Sequence, residues 1–152
     1  MLPMGAAYDR AMQPLAELIL KRPWHWGMAV IGDPMADVPT EFNGQAVATG
    51  RDVITLSLRH AQDIDAERFE GDWDWATATI HLRSLVEEES TDRQVLCNTV
   101  IATPDETVSL GDADGMLVLP APGMKTRLVV TTDEVDPTGL ERVWVDLVAV
   151  EN

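Results

Sequence analysis

The feature that most constrains this chain is its punctuation after Arg22. Short apolar or alternating runs follow one another, most of them closed by Gly, Pro, Asp or Asn, with no helical period between them. The runs fall at residues 27–31, 45–49, 53–58, 73–82, 95–101, 107–110, 116–119, 126–132 and 143–150. The block at 73–82 shows the period most plainly. Trp73, Trp75, Thr77, Thr79 and His81 alternate with Asp74, Ala76, Ala78, Ile80 and Leu82. Both sets contain apolar groups, which places this strand inside a packed sheet. Asp33, Pro34, Asp37, Pro39, Asn43 and Gly44 mark a long loop. Asp112, Asp114 and Gly115 suit a tight reversal, as do Pro120, Pro122 and Gly123, and Asp136, Pro137, Thr138 and Gly139 separate the last two runs. A parallel α/β fold would need helices between the strands. The pattern instead predicts a mainly β fold, an antiparallel β-sandwich of about eight strands.

One short N-terminal helix is expected ahead of the strands. Tyr8, Met12, Leu15 and Ile19 recur on one helical face, and Pro14 interrupts it. The helix is therefore expected over residues 14–22, with Pro14 in its first turn, Glu17 and Lys21 at the i, i+4 spacing, and Pro23 as its stop. A strand over residues 15–20 is the competing reading. Residues 83–92, with Glu87, Glu88, Glu89, Ser90 and Thr91, read as a solvated loop.

The chain has 152 residues, the size of one domain, taken here as residues 1–152. Its apolar fraction of 45% is enough for a core without staples. The charge is the unusual quantity: 11 Lys and Arg against 26 Asp and Glu, net −15. Such a surface repels phosphates and anionic lipid, so no direct nucleic-acid or membrane partner is expected. It attracts a basic partner and speeds that encounter. Plain solubility is the simpler explanation of the same excess. Cys97 is the single cysteine, so neither an intramolecular disulfide nor a multi-thiolate metal site is available. The opening residues lack the basic, apolar and small-residue regions of an export signal, and residues 15–20 are broken by Glu17. A cytoplasmic location is expected.

The most distinctive local feature is an acidic run, Asp63, Asp65, Glu67, Glu70, Asp72 and Asp74, opposed by Arg68. Asp63, Asp65 and Glu67 have the alternate spacing of a calcium loop. The match fails where Arg68 replaces the glycine of the sharp turn and Asp74 stands for the closing Glu. No metal and no other cofactor is expected, and Asp112, Asp114 and Gly115 read as a turn. A docking patch for Lys and Arg of a partner is the functional reading of the run, with a solvated loop as the bland one. Five tryptophans stand among eight aromatics. Trp144 is expected in the core. Trp73 and Trp75, flanked by Asp72 and Asp74, are the best binding anchors. His25, His60 and His81 show no ligand spacing, Cys97 reads as a small hydrophobe, and no nucleophile elbow or phosphate loop is present. No catalytic residue is nominated.

The final third resembles the competence protein J family of small bacterial β-sandwich proteins, known as nuclease inhibitors. The likeness is carried by Leu117-Val118-Leu119-Pro120, a turn at Gly123, the strand Arg127-Leu128-Val129-Val130, an acidic loop, and the strand from Val143 through Trp144 to Val150. The resemblance implies a sandwich fold and an inhibitor's role, and it carries no functional residue across. The leading expectation is an acidic, non-enzymatic protein-binding module, an inhibitor or immunity protein that masks a basic toxin or nuclease. Asp63, Asp65, Glu67, Glu70, Asp72, Trp73, Asp74 and Trp75 would form its partner-binding face. The alternatives are a structural β-sandwich subunit of a phage or secretion-type assembly, and a small-ligand-binding sandwich.

Overall fold

A computed structural model describes residues 14–59, 77–134 and 139–150. Ten strands run through them: β1 Ala16–Pro23, β2 Met28–Gly32, β3 Val47–Gly50, β4 Val53–Ser57, β5 Thr77–Leu85, β6 Gln94–Ala102, β7 Thr107–Asp112, β8 Gly115–Pro120, β9 Lys125–Thr132 and β10 Arg142–Ala149. They form two five-stranded sheets, ordered β1-β5-β10-β9-β6 and β3-β4-β2-β7-β8. Every neighbouring pair is antiparallel except β5 with β10, which run parallel from Arg142↔Thr79 to Val148↔Leu85.

Strand alternation builds the core between the sheets. Ala78, Ile80 and Leu82 of β5, Leu128 and Val130 of β9, and Val143, Val145 and Leu147 of β10 point one way. They meet Ala29 and Ile31 of β2, Ile54 and Leu56 of β4, and Val108 and Leu110 of β7. Ile31, Ile54, Leu56 and Ile80 are fully buried, each stabilising the fold by about 1.5–3 kcal/mol relative to exposure. At one end the sheets are tied by a parallel bridge between Leu58 and Leu140. Leu140 N–H donates to the Ser57 carbonyl at 3.0 Å and Arg59 N–H to the Leu140 carbonyl at 2.8 Å.

The helix expected over residues 14–22 is a strand. β1 pairs with β5 over its whole length, from Ala16↔Ser84 to Pro23↔Thr77. Leu18 and Leu20 pack against the core while Ile19 stays exposed. One isolated segment satisfies both periods, and eight residues of cross-strand pairing with β5 decide for the strand. The core position expected for Trp144 is also corrected. Its neighbours Val143 and Val145 take the inward face, so Trp144 stands on the outer face of the first sheet.

Gly32 closes β2 at φ 136. A Cβ there would collide with the backbone carbonyl of Asp52, so only glycine lets β2 end against the β3–β4 turn. The Gly32 carbonyl accepts the Ser109 hydroxyl at 2.8 Å, which locks β7 beside it.

Candidate functional site

The stretch between β1 and β2 holds a tryptophan on each side of His25, and they have opposite fates. Trp24 is 4% exposed, and its Nε1–H donates to the Ala78 carbonyl at 3.0 Å. Trp26 is 61% exposed. Trp24 precedes and Trp26 lies inside a 3-10 turn, His25–Gly27, with Gly27 N–H donating to the Trp24 carbonyl at 2.9 Å. Trp26 and Gly27 both sit in the left-handed region, at φ 54 and φ 67. Gly27 adopts it freely. Trp26 does so at a cost of about 1–2 kcal/mol. That pair of left-handed residues swings the second indole out of the core and holds it in solvent.

Asp112, the last residue of β7, holds the turn in place. Its carboxylate side chain is 2% exposed and lies 3.0 Å from Arg22 Nη1. Oδ2 accepts the His25 backbone N–H and Oδ1 the Asp114 backbone N–H, both at 2.9 Å. Burial alone would raise its pKa, but the hydrogen bonds from Arg22, His25 and Asp114 outweigh it and hold the carboxyl below its usual range. The Arg22 guanidinium in turn lies 4.2 Å from the Trp24 ring centroid. One carboxylate thus joins the edge of the first sheet to the β7–β8 hairpin of the second. His25 completes the corner, 3.6 Å from the Asp114 carboxylate and edge-on to Trp26 with ring centroids 5.6 Å apart.

Beside this corner lies a groove of about 470 Å³, walled by Trp26, Met28, Val30, Pro34, Val38 and Met116. Asp33 and Asp112 stand among its lining, and Asp33 fixes the loop by accepting the Met35 N–H at 2.8 Å. Trp26, Val38 and Met116 are all exposed here. The result is an open apolar surface with one exposed carboxylate, Asp33, in its lining, suited to hold an apolar side chain.

A second cluster occupies the outer face of the first sheet. The His81 and Trp144 rings stack at 4.9 Å with 10° between planes. Arg93 and Arg142 lie 4.3 and 4.9 Å from the Trp144 centroid. Arg142 Nε–H donates to His81 Nε2 at 3.0 Å. Burial first, then the Arg142 charge, pushes the His81 pKa below its ordinary value, which favours the neutral ring. Its acceptor nitrogen is engaged by Arg142. Beside it the buried Asp146 receives both Arg83 Nε and Nη2 at 2.8 Å, while Arg83 Nη1 reaches Glu89 at 2.7 Å. These contacts brace the sheet face and the loop after β5.

Asp63, Asp65, Glu67, Glu70, Asp72, Trp73, Asp74 and Trp75, with His60, lie outside the described residues. Asp112, Asp114 and Gly115 form the β7–β8 turn. Among the described residues no group of three or more His, Cys, Asp and Glu side chains gathers for a metal ion. Cys97 on β6 packs at the margin of the core, and burial raises its thiol pKa. Nor is any helix among the described residues long and apolar enough to cross a membrane. Trp26 is not among the binding anchors expected from the sequence, which are Trp73 and Trp75. The one local signal for its exposure is the glycine that follows it.

Two five-stranded sheets packed face to face define the chain as a β-sandwich protein. No protein-family model matches it, and no curated protein matches it. Among solved structures it is similar to ComJ from Bacillus subtilis, an inhibitor of the DNA degrading activity of NucA. That likeness has a TM-score of 0.59 at 9% identity and covers 91% of this chain and 98% of ComJ. A lower-scoring match is the protein of crocagin biosynthetic gene J, at TM-score 0.47 and 12% identity, over 90% of this chain and 97% of that one. The ComJ-like resemblance read from residues 117–150 therefore holds in three dimensions across the sandwich, as a likeness of fold.

Proposed function

We propose that this protein is a non-catalytic, cytoplasmic inhibitor that binds and masks a basic protein, a nuclease or nuclease toxin. The observation that carries the reading is Trp26: a large indole held in solvent, at a conformational cost, on an apolar groove with the exposed Asp33 in its lining. Exposed aromatic anchors of this kind concentrate binding energy. The net charge of −15 supplies long-range attraction for a cationic partner. The activity of ComJ, inhibition of a DNA-degrading enzyme, supports the choice of a nuclease. The acidic run Asp63, Asp65, Glu67, Glu70, Asp72 and Asp74, with Trp73 and Trp75, remains the proposed second contact, on its sequence alone.

The test is titration of the protein into DNA-cleavage assays with the basic nucleases of its own host. Stoichiometric loss of cleavage by one of them is expected. Trp26→Ala should weaken inhibition by about thirty-fold, the loss of a central anchor worth about 2 kcal/mol. The melting temperature should hold, because the side chain is exposed. Full cleavage by every nuclease at excess inhibitor would sink the proposal.

A further inference from the structure

A β-sandwich must manage four edge strands, and three of these are defended. β1 carries Glu17 and Lys21 and ends at Pro23. β6 is broken by a bulge between Val95 and Cys97. β3 is four residues long. Among the described residues, β8 shares with β1 only a closing proline, Pro120, and carries no charge or bulge. From Gly115 to Met124 there is no charged residue, in a chain with 37 Asp, Glu, Lys and Arg. Met116, Leu117 and Val118 are 56%, 44% and 61% exposed, so both faces of the strand are open.

The register defines what this edge offers. β7 and β8 are joined by a two-residue turn, with Asp112↔Gly115 as the closing pair. In an antiparallel ladder, bonded and non-bonded pairs alternate, so Gly115, Leu117 and Leu119 exchange their bonds with β7. Met116 and Val118 turn their N–H and C=O groups to the open side, and Pro120 turns a carbonyl. Met116 also lines the groove beside Trp26, so the edge and the groove form one surface.

Charge distinguishes between occupants. Asp114 stands exposed at one end of β8, and Asp105 and Glu106 stand exposed at the other, where the Glu106 carbonyl accepts the Ala121 N–H at 2.8 Å. A second copy paired antiparallel about Leu117 would set Asp114 opposite Pro120, whose β7 partner Thr107 follows Asp105 and Glu106 in the chain. Carboxylates of the two copies would then gather at both ends, with no cation of β8 to offset them. An extended segment with apolar residues at its centre and Lys or Arg at its ends meets every feature.

We infer that β8 is a strand-addition site, which takes an extended, apolar, cation-ended segment of a partner protein as a sixth strand of the second sheet. The nature of that partner rests on the inhibitor reading above; the site itself does not.

The probe is an acetylated, amidated peptide, Lys-Val-Thr-Val-Thr-Val-Lys, added to the intact protein while amide hydrogen exchange is followed. At ten times its dissociation constant, exchange at Met116 and Val118 should slow by about ten-fold. The same peptide with Glu at both ends should bind at least about ten-fold more weakly. Val118→Pro removes an outward N–H, a change an edge strand tolerates, and should abolish protection. Val118→Lys serves as the second variant should the proline unfold the hairpin. Unchanged exchange at Met116 and Val118 in millimolar peptide overturns the inference. So does a dimer in sedimentation that Val118→Lys dissociates, which would make the occupant a second copy. A peptide that protects β8 while no nuclease is inhibited removes the inhibitor reading alone. Full-strength nuclease inhibition by a folded Val118→Pro removes the edge alone.

Discussion

Asp112→Ala is the substitution that most directly tests how the candidate site is held. The carboxylate is 2% exposed and has three partners: the Arg22 guanidinium, the His25 N–H and the Asp114 N–H. Breaking a buried ion pair by removing one member costs about 3–5 kcal/mol. Arg22 is 34% exposed, so solvent takes up part of its lost charge partner and the lower end applies. The exposed Asp114 turn recovers water at its N–H, while the half-buried His25 N–H does so less well. The expected loss is about 3 kcal/mol, or about 6–12 °C in melting temperature for a chain of this length. Thermal and urea unfolding followed by circular dichroism measure both. The pH dependence supplies a second check. The folded-state pKa of Asp112 lies below its unfolded value, so its contribution is present above about pH 4 and is lost as pH falls through the folded value. The gap between wild type and variant should therefore close in acid. A melting temperature within about 2 °C of wild type at neutral pH would refute the reasoning, since no buried charge pair of this kind is so cheaply removed.

Replacing Asp63, Asp65, Glu67, Glu70, Asp72 and Asp74 with Asn or Gln should slow association with the partner and flatten its salt dependence; unchanged stopped-flow kinetics would remove the run from the interface. His81→Gln should reduce the pH dependence of stability just below about pH 6.5, because the lowered His81 pKa makes folding favour the neutral ring and its contribution fades as pH falls. Glu17 opposes that shift while Arg142, Arg83 and Arg93 support it, and an unfolding free energy with the same slope in the variant would assign the slope elsewhere.

The strands were legible where alternation and turn chemistry coincide. Ala78, Ile80 and Leu82 face the core while Thr79 and His81 do not, as their period requires. Asp112 to Gly115 formed its reversal because Asp and Gly favour it locally. The N-terminal segment was ambiguous for a physical reason. Leu15 and Ile19 fit a helical face, Leu18 and Leu20 fit a strand face, and β5 lies some sixty residues away along the chain. The same distance hid the parallel β5–β10 pairing, since no local pattern encodes which strand lies beside which. The acidity was plain in the composition, but Trp26 was not, because its exposure depends on two left-handed residues and on Asp112 from another sheet. β8 was recognisable as an apolar run, and only the sheet order shows that such a run lies on a rim.

The parallel pair has a kinetic consequence. β10 is the centre of its sheet, yet it comes after every other described strand in chain order. During synthesis the β1–β5 and β6–β9 ribbons emerge first, with nothing to join them. Each waits with one bare flank until the strand that belongs between them leaves the ribosome. Nascent chains in that interval are half-built and adhesive, and the mutual repulsion of their many carboxylates keeps neighbouring copies apart until the gap is filled.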